Sequence, residues 1–328
     1  MATEKKLVLQ ARDLLFERGL TGLEAAQKIM KKEEIAYKPL KEAIDSFISS
    51  WKDVVHPALL SLACEAVGGK PENTVNVGAA FVLLAGGADL HDDIIDDSPV
   101  KDFKPTVYGK YGKDLTVLAG DALLFKGLCV LHEAVDNLSV KQKGTILDLT
   151  KHAFFDISSA EAQETHLRKK TDIADEYLNM IKLKAAVSEA TTKIGALLGN
   201  GAAGDIEFMG DFGRGFGILF TLRDEFVDIL DYKELVNRRN DECLPLPIQL
   251  ALNNETKKNE ISNIIGKSSI TQSDAEQLFD LIIDLKENVT LKDEMNSIVT
   301  ALGKKIQVSK LHRKRQLNLL INSMIEDL

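Results

Sequence analysis

Five carboxylates stand within nine residues in the stretch Asp89-Leu90-His91-Asp92-Asp93-Ile94-Ile95-Asp96-Asp97. On a helix, Asp92 and Asp96 point to one side, and Asp93 and Asp97 repeat that spacing on an adjoining strip. Like charges so placed destabilise a helix, and no Lys or Arg occurs between Val82 and Val100 to offset them. Apolar residues flank the cluster, from Phe81 to Ala88, and enter it at Ile94 and Ile95. Acid in a half-buried helix points to a bound cation. Oxygen ligands of this kind suit Mg2+, which commonly also holds a substrate phosphate. A solvated acidic face is the plainer alternative for a single cluster.

A second cluster, Asp224-Glu225-Phe226-Val227-Asp228, again sets two carboxylates four residues apart in an apolar helical context. Facing each other across a bundle, the two would hold several Mg2+ ions and one diphosphate between them. The chemistry that fits is ionisation of an allylic diphosphate: metal charge neutralises the leaving group and apolar walls shelter the carbocation.

The elements that must position these groups read as helices. Apolar residues recur at spacings of three and four rather than two, and only 7 Pro interrupt the 328 residues. Helical stretches are expected at Pro57 to Val67, Asn76 to Asp97, Leu115 to Ala134, Ser139 to Ser158, Ala174 to Leu198 and Gly213 to Leu230. A charged loop follows from Asp231 to Glu242, and three shorter helices from Ser273 to Leu328. The fold class is therefore all-α, a helical bundle in a single domain over 1–328 with the site between facing helices. The basic segment Lys304 to Arg315 reads as a solvated helix face.

Net charge is −9, which argues against nucleic acid as a partner. Cys64, Cys129 and Cys243 have no metal or disulfide spacing and fit a reducing cytoplasm. Met1 to Arg12 has no signal-peptide core, and no uncharged apolar run reaches the ~18 residues of a transmembrane segment.

The motifs together resemble the trans-isoprenyl (polyprenyl) diphosphate synthases. His91-Asp92-Asp93-Ile94-Ile95-Asp96 is similar to their first Asp-rich motif, and Asp224-Glu225-Phe226-Val227-Asp228 to the second, with Glu225 for the usual second Asp. Pro105-Thr106, Ala119-Gly120-Asp121, Gln163 (with Ala162 for the usual Gly) and Tyr177-Leu178-Asn179-Met180-Ile181 followed by Lys184 agree in register. The resemblance implies an isoprenoid synthase type bundle around a deep apolar cavity, usually dimeric as a homodimer or with a homologous synthase. It implies Mg2+ on Asp92, Asp93, Asp96, Asp224, Glu225 and Asp228, catalysis by Asp92, Asp96 and Lys184, and an allylic prenyl diphosphate bound by Lys101, Gln163 and Lys184. His56 is a further substrate-binding candidate. His91, Arg223, Arg238 and Arg239 are secondary candidates beside the acids or diphosphate.

The chain departs from that family on the acceptor side. The positions that would hold isopentenyl diphosphate carry Asp53, His56, Ala85 and Asp102, so two expected cations are carboxylates. Like charge facing a diphosphate costs several kcal/mol. On the allylic side, Ala185 and Thr221 stand for the usual Thr and Gln, and Cys243 falls near a usual Lys. Three readings follow: a non-standard acceptor or a terpene-synthase-like lyase; isopentenyl diphosphate bound through rearranged contacts; or a weakly active subunit of a hetero-oligomeric synthase. Gly86-Gly87-Ala88 before the first motif would leave the cavity floor open to a C20 or longer tail, with Phe81 the next barrier; close helix packing is the other reading of the glycines.

Overall fold

The computed structural model describes residues 6–101, 104–170, 173–326 and 328. Their regular structure is almost wholly helical: α1 (Lys6–Lys31), α2 (Lys38–Ser50), α3 (Val55–Ala66), α4 (Val75–Ile95), α5 (Val107–Tyr111), α6 (Lys113–Ala134), α7 (Val140–Leu167), α8 (Ala174–Lys184), α9 (Ala186–Leu198), α10 (Ala203–Leu230), α11 (Tyr232–Asp241), α12 (Leu246–Ala251), α13 (Lys258–Ile265), α14 (Gln272–Ile282), α15 (Lys286–Val308) and α16 (Lys314–Ser323). Two two-residue strands, Val100–Lys101 and Lys104–Pro105, pair antiparallel just after the first acidic cluster.

α4 lies at the centre. Every residue from Val77 to Leu84 is buried, so no polar face is needed and the helix is apolar all round. Residues 71–95 and 113–134 are long and apolar enough to cross a membrane by length and composition, although both contain charged residues. Within α4, 61% of the apolar window is buried in the bundle, which accounts for its composition; for α6 the share is 39%. α6 exposes Leu118, Phe125 and Leu128, and α7 exposes Phe154 and Phe155.

α4 and α6 meet along a seam with little side chain in it. A Cβ on Gly87 would come within 2.7 Å of Leu124 and 2.9 Å of the Gly120 carbonyl, and one on Gly127 within 2.8 Å of Leu84. A Cβ on Gly86 would meet the Phe47 ring at 2.8 Å. Phe47, Leu123 and Leu124 thus fill the space the glycines vacate. This corrects the expectation that Gly86-Gly87 open the cavity floor: they are packing positions. Helical spacing from Asp92 puts Ala88, Ala85 and Phe81 on the acid-bearing side instead.

Several boundaries shift. α10 begins ten residues before the expected Gly213, and its glycines are contact points: Gly213 lies against Ser188 and Thr192, and a Cβ on Gly217 would come within 3.0 Å of Ala185. That approach coincides with the break between α8 and α9 at Ala185. The expected loop 231–242 is helix α11, started by Asp231, whose side chain accepts from the Lys233 and Glu234 backbone N–H groups at 3.0 and 3.4 Å. In the basic segment, Arg313 donates to Glu65 at 2.8 Å and Lys305 to Asp211 at 2.9 Å.

Replacing Gly87 by Val should lower stability by about 1–3 kcal/mol, the usual cost of overpacking a close contact. Urea unfolding measures it, and an unchanged midpoint would mean that the seam yields.

Candidate functional site

A cavity of ≈200 Å³ opens between α4, α7, α8, α10 and α11. Asp92 and Asp96 enter from α4, Glu161 and Glu164 from α7, Asp224, Glu225 and Asp228 from α10, and Glu242 from the segment after α11. Lys184 and Arg238 are the cations in the lining, and Tyr177, Met180, Ile181 and Thr221 complete it. Larger, shallow grooves on the surface, such as the ≈660 Å³ one beside Glu42 and Tyr111, gather no comparable set of groups.

Burial and mutual repulsion hold these acids on the edge of ionisation. Asp92 is pushed up to about 6, by burial first and then by the charge of Glu161. Asp96 rises to about 6 through burial and Asp92. Asp224 rises to about 7 through burial, Asp228 and Glu225; it opens onto the cavity yet is surrounded by protein. Burial likewise takes Asp228 to about 6 and Glu242 to about 7, against the pull of Arg238.

Each acidic wall carries its own cation. Lys184 Nζ lies 3.0 Å from Glu161 and 2.5 Å from Glu164. Arg168 pairs with Asp96 and donates to the Ile95 carbonyl at 2.8 Å. Arg238, 5% exposed, donates to Asp228 at 2.6 Å, Glu225 at 3.0 Å and the Tyr177 hydroxyl at 2.7 Å. Among the described residues, no three His, Cys, Asp or Glu side chains converge tightly enough to hold a metal as they stand. The donor set nevertheless fits a hard divalent cation: Asp92, Asp96, Asp224 and Asp228 present carboxylate oxygens to one space from two facing helices, and added positive charge there relieves their repulsion.

The sequence expectations are met unevenly by this geometry. Asp92, Asp96, Lys184, Asp224 and Asp228 line the cavity together. Asp93 does not: it is 3% exposed and pairs with Lys101 at 2.8 Å, because one residue of helix turns it about 100° from Asp92. Lys101 is thereby engaged with Asp93 and lies 3.8 Å from Asp89, and it does not line the cavity. Glu225 borders the space, but its oxygens accept from Arg238, from the Tyr177 hydroxyl at 3.0 Å and from the Leu246 N–H at 2.6 Å. It is a holder of Arg238 rather than an open ligand. Gln163 is off the lining, where Glu161 and Glu164 stand; their i, i+3 spacing beside buried Ala160 was the available signal.

His56 lies outside the cavity. Its Nδ1 is 2.7 Å from Asp53; burial lowers its affinity for a proton, but Asp53's charge overcomes this and raises it. His91 Nε2 faces Asp121 and the Val117 carbonyl, both at 3.3 Å, and Arg223 donates to the Glu326 carbonyl at 2.9 Å. Arg239 donates to the Lys267 carbonyl at 2.8 Å. Asp102 lies outside the described residues.

The model of the polyprenyl synthetase family matches residues 38–282. The chain belongs to the polyprenyl synthetase family. It is 30% identical over 207 residues to a short chain isoprenyl diphosphate synthase of Methanothermobacter thermautotrophicus, an alignment spanning 62% of this chain and 63% of that protein. A geranylgeranyl diphosphate synthase of Sulfolobus acidocaldarius is 29% identical over 272 residues, 79% of this chain and 82% of that one. The fold matches the crystal structure of a geranylgeranyl pyrophosphate synthetase from Pyrococcus horikoshii with a TM-score of 0.83 at 22% identity, over 97% of this chain and 100% of that one. The named relatives are prenyltransferases, and the all-α expectation is met.

The raised carboxyls of this polyprenyl synthetase family member carry a pH signature. A folded value above the unfolded one means that the unfolded chain releases its proton first as pH rises, so stability falls through the window from about pH 4 to about pH 7. In EDTA, the melting temperature should decline across that window, and Asp224→Asn should flatten part of the decline. Parallel profiles for the two proteins would contradict the assignment.

Proposed function

We propose that this protein ionises an allylic prenyl diphosphate in the acidic cavity and transfers the prenyl group to an acceptor, with Mg2+ held by Asp92, Asp96, Asp224 and Asp228. The observation that carries this reading is that these four carboxylates, from two helices distant in sequence, share one enclosed space with Lys184. Bound there, divalent cations would supply charge to neutralise the departing diphosphate. Lys184 would exchange Glu161 and Glu164 for phosphate oxygens. Met180 and Ile181 would keep water from the cationic carbon. Glu225 and Tyr177 hold Arg238 in the wall.

The acceptor draws on two lines of support. The names of the relatives favour isopentenyl diphosphate. The charge pattern favours an acceptor without a diphosphate: His56 is neutralised by Asp53 at 2.7 Å, and Lys101 by Asp93 at 2.8 Å. Incubation with Mg2+ and C10 to C25 allylic diphosphates, with and without isopentenyl diphosphate, followed by mass analysis, separates elongation from cyclised or hydrolysed products. Asp92→Ala and Asp224→Ala should each cut diphosphate release at least about a hundredfold, as loss of charge stabilisation at a reacting centre does. Release no faster than background from the unaltered protein, at any allylic length, would end the catalytic reading in favour of a non-catalytic partner subunit.

For tail length, Ala88 and Ala85 leave room beneath Asp92, and Phe81 lies about 16 Å below it along α4. The ≈200 Å³ acidic space is smaller than the roughly 300–1,000 Å³ of pockets that enclose drug-sized ligands, so a C20 tail must extend down that row. Phe81→Ala should shift products to longer chains by mass; unchanged lengths would place the floor elsewhere. The exposed apolar residues of α6 and α7 support pairing with a second copy or a homologous synthase, and the three free thiols a cytoplasmic setting.

A further inference from the structure

Arg238 is bound more heavily than a mobile phosphate contact would be. Asp231 starts α11 immediately after α10, so the chain reverses and brings Arg238 back over Asp228. Nη1 donates to Asp228 at 2.6 Å, Nη2 to Tyr177 at 2.7 Å and Glu225 at 3.0 Å, and Nε to the Cys243 carbonyl at 2.8 Å, with Glu242 3.4 Å away. Glu225 is fixed in turn by the Leu246 N–H. Three carboxylates therefore already share one cation that cannot leave, because all three guanidinium nitrogens are engaged and the side chain is buried.

We propose that Arg238 is a positioning residue that acts as a resident cation of the second acidic cluster. It sets the orientation of Asp228 and competes with Mg2+ for that carboxylate, so the α10 side takes up Mg2+ poorly until a diphosphate arrives to share the charge. The first cluster differs: Arg168 reaches Asp96 alone and leaves Asp92 without an arginine partner. This inference rests on the reading of Asp92, Asp96, Asp224 and Asp228 as metal ligands.

The test is Mg2+ binding to the substrate-free protein by isothermal titration calorimetry, with the Mg2+-induced rise in melting temperature as a second readout. Arg238→Gln should tighten Mg2+ binding by about tenfold or more, the scale of a close charge pair's coupling, and enlarge the thermal shift. Arg238→Lys keeps the charge and should stay near the unaltered protein. Because a lone Glu225 left buried without its cation could prevent folding, the double variant Glu225→Gln with Arg238→Gln replaces both partners by neutral amides and should show the same tightening. A purely structural Arg238 would lower the melting temperature and leave Mg2+ affinity unchanged or weaker, which overturns the proposal. Absence of Mg2+ binding in every protein, with and without inorganic diphosphate, overturns the metal-ligand reading as well.

Discussion

Repulsion among carboxylates in a space of low dielectric is the constraint on which the rest of this structure depends. Eight acidic side chains line one small cavity against two cations. Burial and mutual repulsion raise Asp92, Asp96, Asp224, Asp228 and Glu242 above the ordinary carboxylate range. The protein bears this through what surrounds the cavity: a central helix buried on all sides from Val77 to Leu84, a reversal at Asp231 that returns an arginine, and a lysine spanning two glutamates one turn apart. In the proposed function, the same strain is what would make the space receptive to cations and, through them, to a diphosphate.

The cavity and the neighbouring region near α3 differ in how their charges are paired. The side facing α7, α8 and α10 has cations set directly among acids, where a phosphate can exchange with a carboxylate. The side near α3 has closed on itself: Asp53 both accepts from the Val55 N–H at 2.9 Å and holds His56, and Asp89 and Asp93 hold Lys101. An anion entering there would have to break pairs already made, with a carboxylate left behind each time.

The helical class and both acidic clusters were legible in the sequence because they are local: periodicity and four-residue spacing are properties of one helix. The pairing of Asp93 with Lys101 and of Glu225 with Arg238 was not legible, because spacing reports which residues share a face, not which partner each one meets. Glu161, Glu164, Arg168 and Glu242 were missed because their role exists only once α7 and the α11–α12 segment fold over the aspartates. Gly86 and Gly87 misled as open floor in α4, because a missing Cβ looks the same whether space or a neighbouring helix fills it. Helices α1 and α2, upstream of the motifs, fall within the all-α expectation but were not delimited.

The seam between α4 and α6 sets a length. Leu84 sits over Gly127, Gly87 over Gly120 and Leu124, and His91 against Gly120. These notches fall on the back of the helix whose other side carries Asp92 and Asp96, and they fix how far α4 is inserted along its own axis. A slip by one notch would move the aspartates by about 5 Å, one helical turn, and the two acidic clusters would no longer share a cation. The distance between the two acidic clusters is thus gauged by residues with no side chain, on the α6 side of the helix rather than in the cavity.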